Sequence, residues 1–175
     1  MRDIDITDLQ VFLKEHQEDK LEFSSCNRIV LPDPNMTVEQ FLASLKLPFE
    51  VIAMPAGFVC QPMEKHSFSM YIDGQWFLLK TWPELYQNKT ADQQVDAVIF
   101  NRQILKNIFK IENIVEDERL LLMDNSFRID ELTKIADRMK GVLFLLHPIS
   151  REEIELCLKN EIELPPMSFC VEVLA

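Results

Sequence analysis

Histidine titrates near neutral pH and serves most often as a general base or metal ligand, so the three histidines of this sequence come first. His16 lies among Glu15, Glu18 and Asp19, a grouping that suits either a divalent cation or an ordinary solvated helix face. His66 follows an irregular loop holding Cys60, and Lys65-His66-Ser67 is placed either to face a pocket there or to pack at a strand edge. His147 closes an apolar run before Pro148, the kind of strand end that lines ligand sites in α/β folds. None of the three sits in a nucleophile or HExxH motif. A thiolate at Cys60 would need a base within reach, and sequence alone does not place His66 there. Cys26, Cys60, Cys157 and Cys170 form no CxxC, and four reduced, mostly buried thiols are expected. Glu116-Asp117-Glu118 reads as a cation site or a solvated loop. Trp76 and Trp82 flank one strand and read as packing area or as a partner surface. Only Gly57, Gly74 and Gly141 are present, none in a glycine-rich strand-to-helix turn, so no phosphate cradle or dinucleotide fingerprint exists. No catalytic residue, metal site or cofactor is expected from these motifs.

The elements that must position these groups belong to one domain. At 175 residues, with 47% hydrophobic and 27% charged residues, the chain has globular usage and buries about 70% of its unfolded surface in one core. The net charge of -11 and a pI near 4.7 repel phosphate backbones and anionic lipid, arguing against nucleic-acid and membrane partners. No apolar run approaches the length of a spanning helix and no signal peptide is written at the start, so a cytoplasmic location is expected.

Periodicity predicts a helix ending near Glu18, a strand over Asn27 to Leu31, and a helix opened by a Thr37/Gln40 capping box and stopped by Pro48. Phe49 to Ala53 reads as a strand and Met54 to Lys65 as a loop. Residues 68–80 read as a hairpin, because Asp73-Gly74 supplies the positive φ angles of a type I′ turn. A long core helix is predicted from Thr90 to about Lys110. Arg119 to Met123, a helix capped by Asn125 or Ser126 and ended by Gly141, and Val142 to Leu146 form a β-α-β crossover over 119–146, with its two strands expected as parallel neighbours. Ser150 with Glu153 opens a final helix ending near Asn160. The fold class is therefore α+β, a single domain over 1–175, with helices packed on a mixed sheet.

Asn27-Arg28-Ile29-Val30, the hairpin His66-Ser67-Phe68-Ser69-Met70-Tyr71-Ile72-Asp73-Gly74-Gln75-Trp76-Phe77 and Leu164-Pro165-Pro166-Met167-Ser168 occur in an order that resembles the C-terminal half of a bacterial family of unknown function, the DUF family numbered ten-fifteen. The resemblance spans roughly 27–168, leaving 1–26 as an N-terminal helical extension. It implies a fold related to ParB and sulfiredoxin-like proteins, among which free-serine kinase activity is known. Family members carry a Gly-His-His-Arg motif upstream that is missing from this sequence. Where they have a glycine-rich segment with an Arg, this chain reads Met123-Asp124-Asn125-Ser126-Phe127-Arg128, keeping Arg128 and the helix start. Losing those glycines removes an anion-binding element, which argues against inherited phosphoryl transfer.

The sequence thus points to a non-catalytic binding module for a protein partner or small metabolite, with Arg128, His147, Lys65 and His66 as candidate ligand-binding residues. The alternative is an enzyme or half-enzyme related to free-serine kinases, completed by a separate N-terminal partner. Phe58 and Val59 are the residues that would carry a twofold homodimer contact.

Overall fold

The computed structural model describes residues 6–174. In chain order the elements are α1 (Ile6–Glu15), β1 (Lys20–Ser24), β2 (Asn27–Val30), α2 (Val38–Leu45), β3 (Phe49–Ala53), β4 (Ser67–Ile72), β5 (Gln75–Thr81), α3 (Asp96–Phe100) continued by a π-helix (Asn101–Phe109), β6 (Leu120–Met123), α4 (Ile129–Met139), β7 (Val142–Leu146), α5 (Arg151–Lys159) and β8 (Cys170–Leu174). Six strands form one sheet in the order β3-β5-β4-β7-β2-β6, and β1 pairs with β8 in a second.

The fold is α+β, as the sequence implies, but every neighbouring pair in the large sheet is antiparallel. The expected crossover exists, and β6 and β7 run the same way. They are not neighbours, because β2 lies between them, antiparallel to both. Ile29 and Val30 of β2 are both fully buried and belong to different core layers, the pattern of an interior strand covered on both faces. A crossover that skips one strand spans only about 10 Å, within easy reach of α4.

Alternation along the strands divides the core. Phe68 and Met70 of β4 with Val142, Phe144 and Leu146 of β7 meet Phe41 and Leu45 of α2, Phe100 of α3 and Ile154 of α5. Tyr71, Leu143, Leu145 and Ile29 face the other way, onto Leu132 and Ala136 of α4. The hairpin turn is as the sequence predicts, with Asp73 and Gly74 at φ +50° and +81°. The boxes at Thr37/Gln40 and Ser150/Glu153 form, each with both reciprocal hydrogen bonds.

Several boundaries differ from the sequence reading. The helix expected from Thr90 starts at Asp96 with no side-chain cap, after a 3₁₀ turn over Asp92–Gln94. From Asn101 it winds as a π-helix, with Ile104, Leu105 and Phe109 carrying its buried face. Ser126 does not cap α4. Its N–H and hydroxyl turn back to the Asp124 carboxylate, and the N-cap is Arg128, whose backbone N–H donates to Glu131 at 2.8 Å. At the far end the left-handed residue is Lys140 (φ +55°) rather than Gly141. Gly141 is required for space instead, since a Cβ there would stand 2.8 Å from Ile29 Cγ2. The β1-β8 pair had no sequence signal beyond a faint alternation in Lys20-Leu21-Glu22-Phe23-Ser24, and its partner lies at the other end of the chain.

Candidate functional site

A broad concavity lies between the hairpin and the start of α4. It is an open cleft of about 630 Å³, walled by Tyr71, Trp76 and Val59 on one side and by Asn125 to Asp130 and Thr133 on the other. Strand pairing fixes its floor. Tyr71 and Trp76 are register partners across β4 and β5, with ring centroids 5.2 Å apart, and both are buried. The rim is soft and apolar, with Phe127 and Val59 at 40% and 53% exposure. Arg128 extends from the α4 N-cap into solvent and pairs with Asp130 through Nε at 3.0 Å.

Tyr71 is not a base in this setting. Its hydroxyl donates to both Asp137 oxygens, at 2.8 and 3.0 Å. Burial first, then the hydrogen bond to and charge of Asp137, push its pKa up to about 12. At neutral pH the cleft wall therefore presents a protonated phenol already committed to α4. Asp137 lies 66 positions from Tyr71, and nothing in the sequence links the two.

The other candidates gather elsewhere. Lys65 Nζ pairs with Glu153 Oε1 of α5 at 2.5 Å. The His66 backbone N–H donates to both oxygens of the buried Asp96 at 3.0 Å, and its Nδ1 lies 3.0 Å from Oδ1. His66 is held at φ +67°, a left-handed conformation unusual for a residue with a side chain, and its ring stacks on Tyr86 at 3.7 Å. Asp96, Glu153 and His147 line one small cavity together with Ser25 and Ser168. Lys65 and His66 thus each bind a carboxylate that lines this cavity, and His147 lines it directly, while Arg128 belongs to the cleft. The cavity is only about 10 Å³, room for no more than a single water.

Among the described residues, no group of three or more His, Cys, Asp and Glu side chains could hold a metal ion. His16 pairs with Asp19 alone. In the acidic run, Asp117 is held below the usual carboxylate range, chiefly by its hydrogen bonds from Arg119, and Glu116 accepts from Asn113. No helix among the described residues is long and apolar enough to cross a membrane.

The sequence matches, over residues 7–107, the family described as protein of unknown function, DUF1015. The chain belongs to this family. Its fold recurs in a free serine kinase in complex with AMP, 14% identical with a TM-score of 0.51, the match covering 91% of this chain and 57% of that one. A mutant of the free serine kinase in complex with ADP matches at 12% identity and a TM-score of 0.53, with the same coverage. A conserved hypothetical protein from Pyrococcus furiosus matches at 12% identity and a TM-score of 0.51, covering 87% of this chain and 56% of that one. At such identities the shared property is the fold, and this chain spans little more than half the length of these neighbours. No curated protein matches the sequence.

Proposed function

We propose that this DUF1015 member is a non-catalytic binding module whose cleft takes a small metabolite with a planar apolar body and one anionic group. The observation that carries the reading is the placement of an aromatic wall, Trp76 with Tyr71, opposite Arg128 at the start of α4, across a space of about 630 Å³. That volume falls within the range of small-molecule sites, and such sites combine apolar lining with a few placed polar groups. The character of the lining supports binding: Tyr71 is protonated and hydrogen-bonded, and the Asp130 carboxylate is engaged by Arg128 and Lys134. Nucleotides are the natural first probes, because structures of the shared fold are in complex with AMP and ADP.

The test uses the two tryptophans. With Trp82→Phe, Trp76 becomes the sole indole, and titration with AMP, ADP, serine and phosphoserine should give saturable quenching for at least one of them. At a hundredfold excess over Kd that ligand stabilises by about 2.7 kcal/mol, a thermal shift of roughly 5–10 °C for a chain of this size. Arg128→Ala should weaken binding about 10- to 100-fold, the range for a hydrogen bond to a charged group. No quenching and no shift across the panel refutes small-metabolite binding of these classes. The alternative, an enzyme or half-enzyme completed by a further segment, is favoured by the Lys65-Glu153 and His66-Asp96 pairs beside His147. Ligand-dependent phosphate release, abolished by His66→Ala, would establish that reading instead.

A further inference from the structure

We infer that Cys26 and Cys170 form a redox-active pair, a site at which a hydroperoxide or a small disulfide closes a reversible bridge between the head of β2 and the C-terminal strand. The two residues are 144 positions apart, yet their sulfurs lie 2.8 Å from each other. The β1-β8 register sets this up: Cys170 lies opposite Ser24, and the chain turns back over Ser25-Cys26 before entering β2, carrying the Cys26 thiol onto its partner. A disulfide is about 2.05 Å long, so closure asks the sulfurs to approach by less than 1 Å.

A second observation concerns Arg28, which is fully buried on β2. Its Nη1 donates to the Cys26 carbonyl at 2.6 Å and its guanidinium lies 5.0 Å from the Phe100 ring centroid, while Nε and Nη2 have no hydrogen-bond partner among the described residues. Desolvation lowers its pKa to about 10, and the nearby Cys26 and Cys170 sulfurs partly offset that. A buried cation beside the pair favours a thiolate there, which is the reactive form of cysteine. Cys170 itself holds its proton more tightly than an ordinary thiol, because of its hydrogen bond with Cys26 and because it is partly buried. The remaining cysteines differ: Cys60 accepts from Ser69, and burial pushes the Cys157 thiol up.

Cys170 is the more exposed of the pair and the point of entry, and it reacts in the molecules in which it has given up its proton. With a hydroperoxide, its sulfur takes the terminal oxygen, the O–O bond breaks and an alcohol or water leaves, giving a sulfenic acid. The Cys26 sulfur then displaces the hydroxyl as water and the S–S bond forms. Two thiols lose two electrons and two protons, and the peroxide is reduced by the same two electrons. The bridge would lock a cleft wall in place: Asn27, next to Cys26, pairs with Met123, which leads directly into the Asp124 to Arg128 loop.

The test treats the full chain with hydrogen peroxide or oxidised glutathione, then counts thiols in denaturant and maps bridged peptides by mass spectrometry. The expected result is a fall from four thiols to two, a single Cys26–Cys170 peptide, reversal by dithiothreitol, and a thermal midpoint raised by several degrees because the bridge closes a long loop in the unfolded chain. Closure should be faster at pH 9 than at pH 7. Cys170→Ser should abolish the bridged peptide; the wild-type mapping stands independently of how that variant folds. Four thiols retained in the native protein under oxidation, or a bridge mapped to Cys60 or Cys157, overturns the inference. Neither result bears on ligand binding in the cleft, which is read separately by Trp76.

Discussion

The Tyr71–Asp137 contact makes a prediction that absorbance can read directly. Tyr71 is buried, donates to both Asp137 oxygens, and has its pKa pushed up to about 12 from an ordinary value of 10.0. The folded state thus binds the phenolic proton more tightly than the unfolded state does. The resulting stability is fully present below pH 10 and is lost as pH rises from 10 towards 12. The full gap corresponds to about 3 kcal/mol, an upper bound because Asp137 is exposed to solvent screening. Tyr71 and Tyr86 are the two tyrosines, so Tyr86→Phe leaves one phenol to titrate. After rapid pH jumps, phenolate absorbance near 295 nm should show a midpoint close to 12. Asp137→Asn should lower the midpoint only part-way to 10, because burial is the largest cause and survives the substitution. In parallel, urea midpoints of the Tyr86→Phe protein should fall across the same pH window and fall less in the double variant. A native midpoint near 10, or one that ignores Asp137→Asn, would refute the account of the cleft wall as a locked phenol.

Three further substitutions test the scaffold. Lys140→Gly should stabilise by about 1 kcal/mol in urea, since Lys140 is the exposed left-handed residue at the end of α4. Gly141→Ala should destabilise by about 1–3 kcal/mol, because its Cβ would meet Ile29 Cγ2 at 2.8 Å in a central strand that cannot yield. Asp96→Ala should cost about 1–3 kcal/mol in the same assay by removing the acceptor of the half-buried His66 N–H, with protease cleavage after Lys65 rising as the loop loosens.

Local signals carried much of the fold. Asp73-Gly74 specified its turn, and the Thr37 and Ser150 boxes formed because capping is settled within four residues. Where two local devices competed, sequence reasoning slipped by a residue or two: Asp124 took Ser126 into its own turn and left Arg128 as the cap. Strand order was less legible. The crossover rule gave the direction of β6 and β7 but not the strand between them, which depended on burial of both faces of β2. At the site, Lys65, His66 and His147 were recognisable as chemistry-bearing residues, but Asp96 and Glu153, which join them, lie on distant helices. Trp76 could be noted from its hairpin. The Cys26 contact with Cys170 had no sequence signature, because it arises only when β1 and β8 meet, and the burial of Arg28 arises only when β2 takes its place between β6 and β7.

The position of β2 also sets the order in which the molecule can be assembled. Strands β3, β4 and β5 lie within residues 49–81 and join through antiparallel pairs of short reach, so this half of the sheet can form early. Ile29 must wait for Leu121 and Leu143, both more than ninety positions further along the chain. Until the last third exists, β2 is an apolar strand with both edges unpaired. Loop-closure entropy makes its docking the slow step of refolding, and during synthesis it is the segment most in need of shielding from other chains.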